Sequence, residues 1–161
     1  MAEQAGRHWA VIETGSNQAY IFASNKQILN VGSSHLVRLV GEQWAPELVR
    51  EVDPSARVVL ASSGKTLILA SKPTYEEVIR RLTEKALLDA PGLTVWGAIS
   101  RSPIGESGDD WADLLSQTYL DHAALRPSLP SADVRFPLLP FLQPDSFSGK
   151  PATIRKNEML R

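Results

Sequence analysis

Two apolar runs, Arg57-Val58-Val59-Leu60-Ala61 and Thr66-Leu67-Ile68-Leu69-Ala70, stand four residues apart across Ser62-Ser63-Gly64-Lys65. Runs of that length, rich in β-branched residues and joined by a short polar segment with a glycine, predict two antiparallel strands and the turn between them. Both runs are apolar on both sides, which predicts a hairpin central in its sheet. The segments around it then have to supply partners and a cover. Trp9-Ala10-Val11-Ile12 reads as a strand. It is interrupted at Thr14-Gly15-Ser16-Asn17, and Ala19-Tyr20-Ile21-Phe22 either resumes it past a bulge or follows a tight turn. Leu93 to Ile99 reads as a last strand.

Two helices separate these strands. Leu36, Val37, Val40, Trp44 and Leu48 recur at spacings of mostly four, behind a hydroxyl cap at Ser33-Ser34, and Pro46 either kinks this helix or opens a second turn of it. Thr74 and Glu77 form a capping-box pattern for the other, whose positions Val78, Ile79, Leu82, Ala86 and Leu87 run at helical spacing until Pro91-Gly92 stops it. The order is β-α-β-β-α-β, which is an α+β, ferredoxin-like arrangement with helices on one face of an antiparallel sheet. An extra helix carries Trp111, Leu114, Leu115 and Leu125. Six of the 11 prolines fall from Pro127 to Pro151, which argues against regular structure there. The chain therefore divides into a domain over residues 1–125 and a Pro-rich extension over 126–161. Within that extension Phe136 to Leu142 is too apolar for a solvated linker, so it docks on the domain or on a missing partner segment. The polar Arg155-Lys156-Asn157-Glu158 that follows reads as the end of a fragment or of an N-terminal module.

Composition excludes several chemistries. With 17 basic and 18 acidic residues the formal charge is -1, so no whole-molecule attraction to nucleic acid or anionic membrane is expected. No 18-residue apolar run occurs, so no membrane partner is expected and the reading is of a cytoplasmic protein. The absence of cysteine removes thiolate metal sites and cysteine nucleophiles, and His8, His35 and His122 are too scattered for an i, i+4 metal pair. Gly64-Lys65-Thr66 invites a phosphate-loop reading, but position 59, where the first glycine would stand, is Val59, and a strand follows instead of a helix. Gly108-Asp109-Asp110 has the composition of a metal-binding acid pair, yet it precedes a helix, where acids complement the dipole. No Gly-x-Ser-x-Gly elbow is present. Tyr20, Phe22, Trp44 and Trp96 fall on core-like positions. Glu13 is the one isolated carboxylate at the end of an apolar strand, and one carboxylate does not make a two-metal site.

Ile12-Glu13-Thr14-Gly15-Ser16-Asn17-Gln18-Ala19-Tyr20-Ile21-Phe22, Asn25-Lys26 and Val31-Gly32-Ser33-Ser34-His35-Leu36-Val37 resemble the opening of the palm domain in the large polymerase-cyclase subunit of type III CRISPR effector complexes. The hairpin, Ala90-Pro91-Gly92-Leu93 and Ser148-Gly149-Lys150-Pro151-Ala152 are similar as well, so the likeness spans residues 9 to 153. It implies a palm related to GGDEF cyclases. Active members hold ATP and Mg between an acid on the first strand and a Gly-Gly-Asp-Asp hairpin. Glu13 matches the first acid, but Ser62-Ser63-Gly64-Lys65 stands where the paired aspartates would be. That replacement removes metal ligands and adds a positive charge where a cation would sit. The resemblance thus implies a degenerate palm for nucleotide binding or scaffolding in antiviral defence. Its nucleotide site would be built from Glu13, Gly15, Ser16, Asn17, Ser63, Gly64, Lys65 and Thr66, with Lys65 meeting a phosphate as a point charge. Glu13 is the candidate catalytic residue, no metal ligand is assigned, and any cofactor would be ATP with Mg. Two alternatives stand beside this reading: an active cyclic-nucleotide synthase completed by a partner palm, and a ferredoxin-like protein-interaction domain. The partners implied are other subunits of an effector complex, the remainder of a longer chain, or a second copy, with RNA met only indirectly.

Overall fold

A computed structural model describes residues 6–105 and 108–129. Four strands, β1 (His8–Gly15), β2 (Arg57–Ser62), β3 (Lys65–Ala70) and β4 (Thr94–Ile99), form one antiparallel sheet in the order β2-β3-β1-β4. The first crossover carries α1 (Asn17–Ile21), α2 (Gln27–Leu39) and α3 (Ala45–Val52), and the second carries α4 (Lys72–Asp89). This is the ferredoxin-like β-α-β-β-α-β sheet. A further helix, α5 (Trp111–Leu125), follows β4 and ends in a single 3₁₀ turn, Arg126–Ser128. No described helix is long and apolar enough to cross a membrane. Phe136 to Leu142 and Ser148 to Ala152 lie outside the described residues.

Strand alternation divides the core. Ala10, Ile12, Ile68, Ala70 and Val95 point to the face covered by α2, α3 and α4, where they meet Val37, Val40, Trp44, Val49, Val78 and Leu82. Ile12, Ile68, Val78 and Leu82 are all at most 1% exposed, and burying each such side chain contributes about 1.5–3 kcal/mol. Trp9, Val11, Leu67 and Leu69 point the other way and meet Leu114, Leu115 and Tyr119 of α5. The sheet is thus covered on both faces. The start of α5 is pinned by the edge-on contact of Trp9 and Trp111 and by the Trp9 indole N–H, which donates to the Trp111 carbonyl at 3.1 Å. Farther along, Asp121 holds Arg101 at 2.8 and 2.9 Å.

Several expectations from the sequence are corrected. The hairpin is not central: β3 is interior, but β2 is the sheet edge, largely exposed and bulged between Val58 and Leu60. Its apolar residues misled because Val59 and Leu60 remain more than 40% exposed. The strand does not resume at Ala19. Ser16 adopts left-handed backbone, φ 55°, which ends β1, and the Tyr20 N–H donating to the Ser16 carbonyl at 2.9 Å turns the chain into α1. Helix α2 starts at Gln27, not at Ser33-Ser34, because the Lys26 N–H donates to the Ser24 hydroxyl at 3.1 Å and turns the chain about two helical turns earlier. The cap of α4 is Ser71, whose hydroxyl accepts from the Thr74 N–H, and Pro73 fits the first turn, where its missing N–H costs nothing. Glu77 is then free of capping and pairs with Arg80 and Arg81. Pro46 lies in the first turn of α3, after a π-helical turn at Val40–Trp44 that joins it to α2. Phe22 and Leu125 are exposed, not core. Asp110 does stand at the cap position of α5, its carboxylate accepting from the Gly105 N–H at 3.1 Å.

The turn of the hairpin is Ser63-Gly64, with φ 41° and 84°, a two-residue connection with both central residues left-handed, whose twist matches the flanking strands. It is clamped to the π-turn and to the end of β1. The Ser63 N–H donates to the Glu42 carboxylate at 3.2 Å, the Thr66 hydroxyl donates to the Gly41 carbonyl at 2.9 Å, and the Thr14 N–H donates to the Gly64 carbonyl at 2.8 Å.

Candidate functional site

Glu13 sits in a row that crosses three strands. Its register partners are Lys65 on β3 and Trp96 on β4, so all three side chains project from the same face, toward α5. The Lys65 ammonium lies 3.5 Å from Glu13 Oε2 and 5.4 Å from the centre of the Tyr119 ring. From α5, His122 brings Nδ1 to 3.7 Å from the same Glu13 oxygen and stacks on the Trp96 indole at 5.1 Å, with the planes 10° apart. The row has room for that indole only because position 15 is glycine: a β-carbon there would overlap the Trp96 six-membered ring. About a third of each of Glu13 and Lys65 stays exposed, so this pair by itself contributes at most about 1 kcal/mol.

Beside the row opens a cleft of about 700 Å³ lined by the end of β1, the β1–α1 turn and the last turn of α5. Glu13, Gly15, Ser16 and Asn17 line it, together with Trp96, His122 and Arg126. The eight residues singled out from the sequence therefore separate. Four line the cleft, and Lys65 reaches Glu13 from the neighbouring strand. Ser63 and Thr66 are bonded to the π-turn and the Gly64 carbonyl to Thr14 of β1, with Thr66 fully buried on the opposite face of the sheet. Sequence reasoning missed Trp96, His122 and Arg126. The first two are 96 − 13 = 83 and 122 − 13 = 109 positions from Glu13, so only the strand register and the packing of α5 bring them to it.

The electrostatics are set by burial. The His122 ring is 4% exposed, and desolvation pushes its pKa down, with Lys65 acting in the same direction and Glu13 opposing both. The neutral imidazole is therefore the folded-state form near pH 7. Because the folded protein takes up this proton less readily than the unfolded chain, stability is fully present above the ordinary histidine value of about 6.5 and falls as the pH drops below it. Denaturant melts at about pH 7.5 and about pH 5.5 should show a larger loss for the wild type than for His122→Gln, since only the former has this group to protonate.

The donor set does not fit magnesium. Glu13 is the one acid lining the cleft, its Oε2 already faces two nitrogen groups, and among the described residues no cluster of three or more His, Asp or Glu is gathered to hold a metal.

No family model matches the chain, and no curated protein sequence does. A solved structure does resemble it: the crystal structure of a Csm1-Csm4 cassette in complex with pppApApA superposes with a TM-score of 0.59 at 12% identity. The likeness covers 78% of this chain and 19% of that one, so the present chain spans about a fifth of that neighbour. At this identity the likeness shows a shared fold alone.

Proposed function

We propose that the chain is a degenerate palm module of a CRISPR-type or related antiviral defence protein, binding a nucleotide in the β1–α1 cleft and serving as a scaffold instead of running metal-dependent phosphoryl transfer. The observation that carries this is the Lys65 ammonium 3.5 Å from the Glu13 carboxylate. A two-metal centre neutralises its carboxylates with divalent cations. Here the fixed charge of the neighbouring strand does so, and the same ammonium can meet a phosphate directly. The palm-like fold shared with the Csm1-Csm4 cassette supports the assignment to this class of machinery. That cassette joins Csm1 to Csm4 and carries pppApApA, and the corresponding partners we propose for this chain are another effector subunit, or the rest of a longer protein, and an adenine nucleotide.

Calorimetric titration with ATP tests this reading. Binding is expected without added magnesium, Lys65→Met should weaken it about tenfold, the loss of one charge-assisted contact, and incubation with ATP and Mg²⁺ or Mn²⁺ should yield no cyclic product. Formation of cyclic oligoadenylate by this chain would instead establish the active synthase.

A second reading, a protein-interaction domain of ferredoxin-like fold, is favoured by the edge strand. Among the described residues, Val59 and Leu60 are exposed on edge strand β2 beside a row of backbone hydrogen-bonding groups, which is where another strand can add.

A further inference from the structure

The described part of the molecule leaves four buried side-chain polar atoms without a hydrogen-bond partner, and all four belong to residues of the one cleft: Thr14 Oγ1, Asn17 Oδ1, Trp96 Nε1 and His122 Nε2. Buried polar groups are nearly always paired, because leaving one unpaired forfeits its hydration with no return. A scatter of such atoms through a domain would be strain or chance. Three of them, Asn17 Oδ1, Trp96 Nε1 and His122 Nε2, gather at the cleft, and this points to a ligand that supplies the missing partners.

The chemistry of the atoms narrows that ligand. Thr14 stands apart, its hydroxyl packed against Gly64. Trp96 Nε1 is a donor only, and the Asn17 amide oxygen is an acceptor. His122 presents Nδ1 to the Glu13 carboxylate at 3.7 Å, which favours the proton on that nitrogen and leaves Nε2 as an acceptor in the neutral ring. The cleft thus offers one donor and two acceptors, next to the flat Trp96–His122 stack. A planar ligand that answers them carries an exocyclic amine, with two N–H groups, beside a ring nitrogen that accepts. Adenine and cytosine have that edge. Uracil, with one N–H between two carbonyls, has the reverse.

We infer that the cleft reads the amino edge of a nucleobase, with Trp96 donating to the ring nitrogen and Asn17 and His122 accepting from the amine. This rests on the nucleotide-binding reading above and adds base selection to it. Trp96 is 8% and His122 4% exposed, so binding requires lining side chains of the cleft to move aside as the ligand enters.

The test titrates the whole chain with adenosine, cytidine and uridine, which lack phosphate, and separately with ATP and inorganic triphosphate. Adenosine or cytidine should bind at least about tenfold more tightly than uridine, the discrimination expected from mispaired buried groups. Trp96→Phe keeps an aromatic ring but removes the orphan N–H. It should weaken that binding about tenfold, and any fall in melting temperature reflects the smaller ring alone, since the donor lost has no partner in the free protein. Should the smaller ring loosen α5, Asn17→Ala on the partly exposed start of α1 gives the same readout. Equal affinity for uridine, or unchanged affinity in both variants, overturns base reading. If ATP and triphosphate bind while no nucleoside does, the cleft is a phosphate site: base reading falls and the nucleotide-binding module stands. If nothing binds, both fall.

Discussion

Replacing Gly41 with alanine is expected to destabilise the domain by about 3 kcal/mol, the upper end of the usual cost of overpacking, seen as a fall in melting temperature of about 10 °C. Gly41 lies in the π-turn between α2 and α3. A β-carbon there would stand 2.5 Å from the Gly64 nitrogen and 2.6 Å from the Lys65 nitrogen. Those are backbone atoms of the hairpin turn, so no side-chain rotation relieves the overlap. The turn itself cannot yield without breaking the Thr66 and Ser63 hydrogen bonds that hold it to the same helical segment. The intrinsic helical preference of alanine, worth about 1 kcal/mol, is too small to offset this. Gly32→Ala is the internal control: it lies inside α2 with nothing within 4 Å of its β-carbon position, and the same substitution should stabilise by about 0.5–1 kcal/mol. Thermal melts of the two variants, opposite in sign, separate a contact effect from a general property of glycine. A Gly41→Ala protein that melts with the wild type would disprove the clamp.

The second large effect is at Gly15. Alanine there would drive a methyl group into the Trp96 ring, which is also stacked on His122. Relief requires the indole to move, and with it the stack that ties α5 to the sheet near Glu13. We expect a loss of about 2–3 kcal/mol, again an overpacking cost with little room to relax. Faster amide hydrogen exchange should appear in α5 around Thr118 to His122, while α4, packed on the other face of the sheet, stays protected. Uniform loss of protection across both faces would show that Gly15 supports the whole sheet and not this corner. Binding of any cleft ligand should disappear in the same variant, since Glu13, Trp96 and His122 lose their common row.

The fold was legible where pattern and punctuation agreed. The apolar runs around Ser62 to Lys65, the helical repeat from Val78 to Ala86 and the stop at Gly92, whose φ is 91°, each carry their own local cause. Legibility failed where a neighbour decided. Ala19 to Phe22 has strand composition, yet a left-handed Ser16 ends β1 and sends those residues into a helical turn. Val58 to Leu60 has the look of an interior strand, but a sheet edge is defined by which strand is absent beside it, and no local pattern records that. Of the site, Glu13 and the turn after it could be found, because a carboxylate closing an apolar strand is conspicuous. Trp96 and His122 could not, since each alone resembles an ordinary core aromatic or a satisfied histidine. Their meaning lies in the orphaned atoms, which exist only once α5 has packed.

The position of α5 limits what can reach this cleft. A bare antiparallel sheet is a table on which successive bases of a single strand can be laid. In this molecule Leu114, Leu115 and Tyr119 occupy that table from Trp9 to Leu69, leaving an alcove at the rim where β1 runs out. An alcove accepts a lone guest or the loose end of a thread, not the middle of one. If the cleft takes a nucleotide as proposed, this geometry favours a single guest or a strand end over the middle of a polymer.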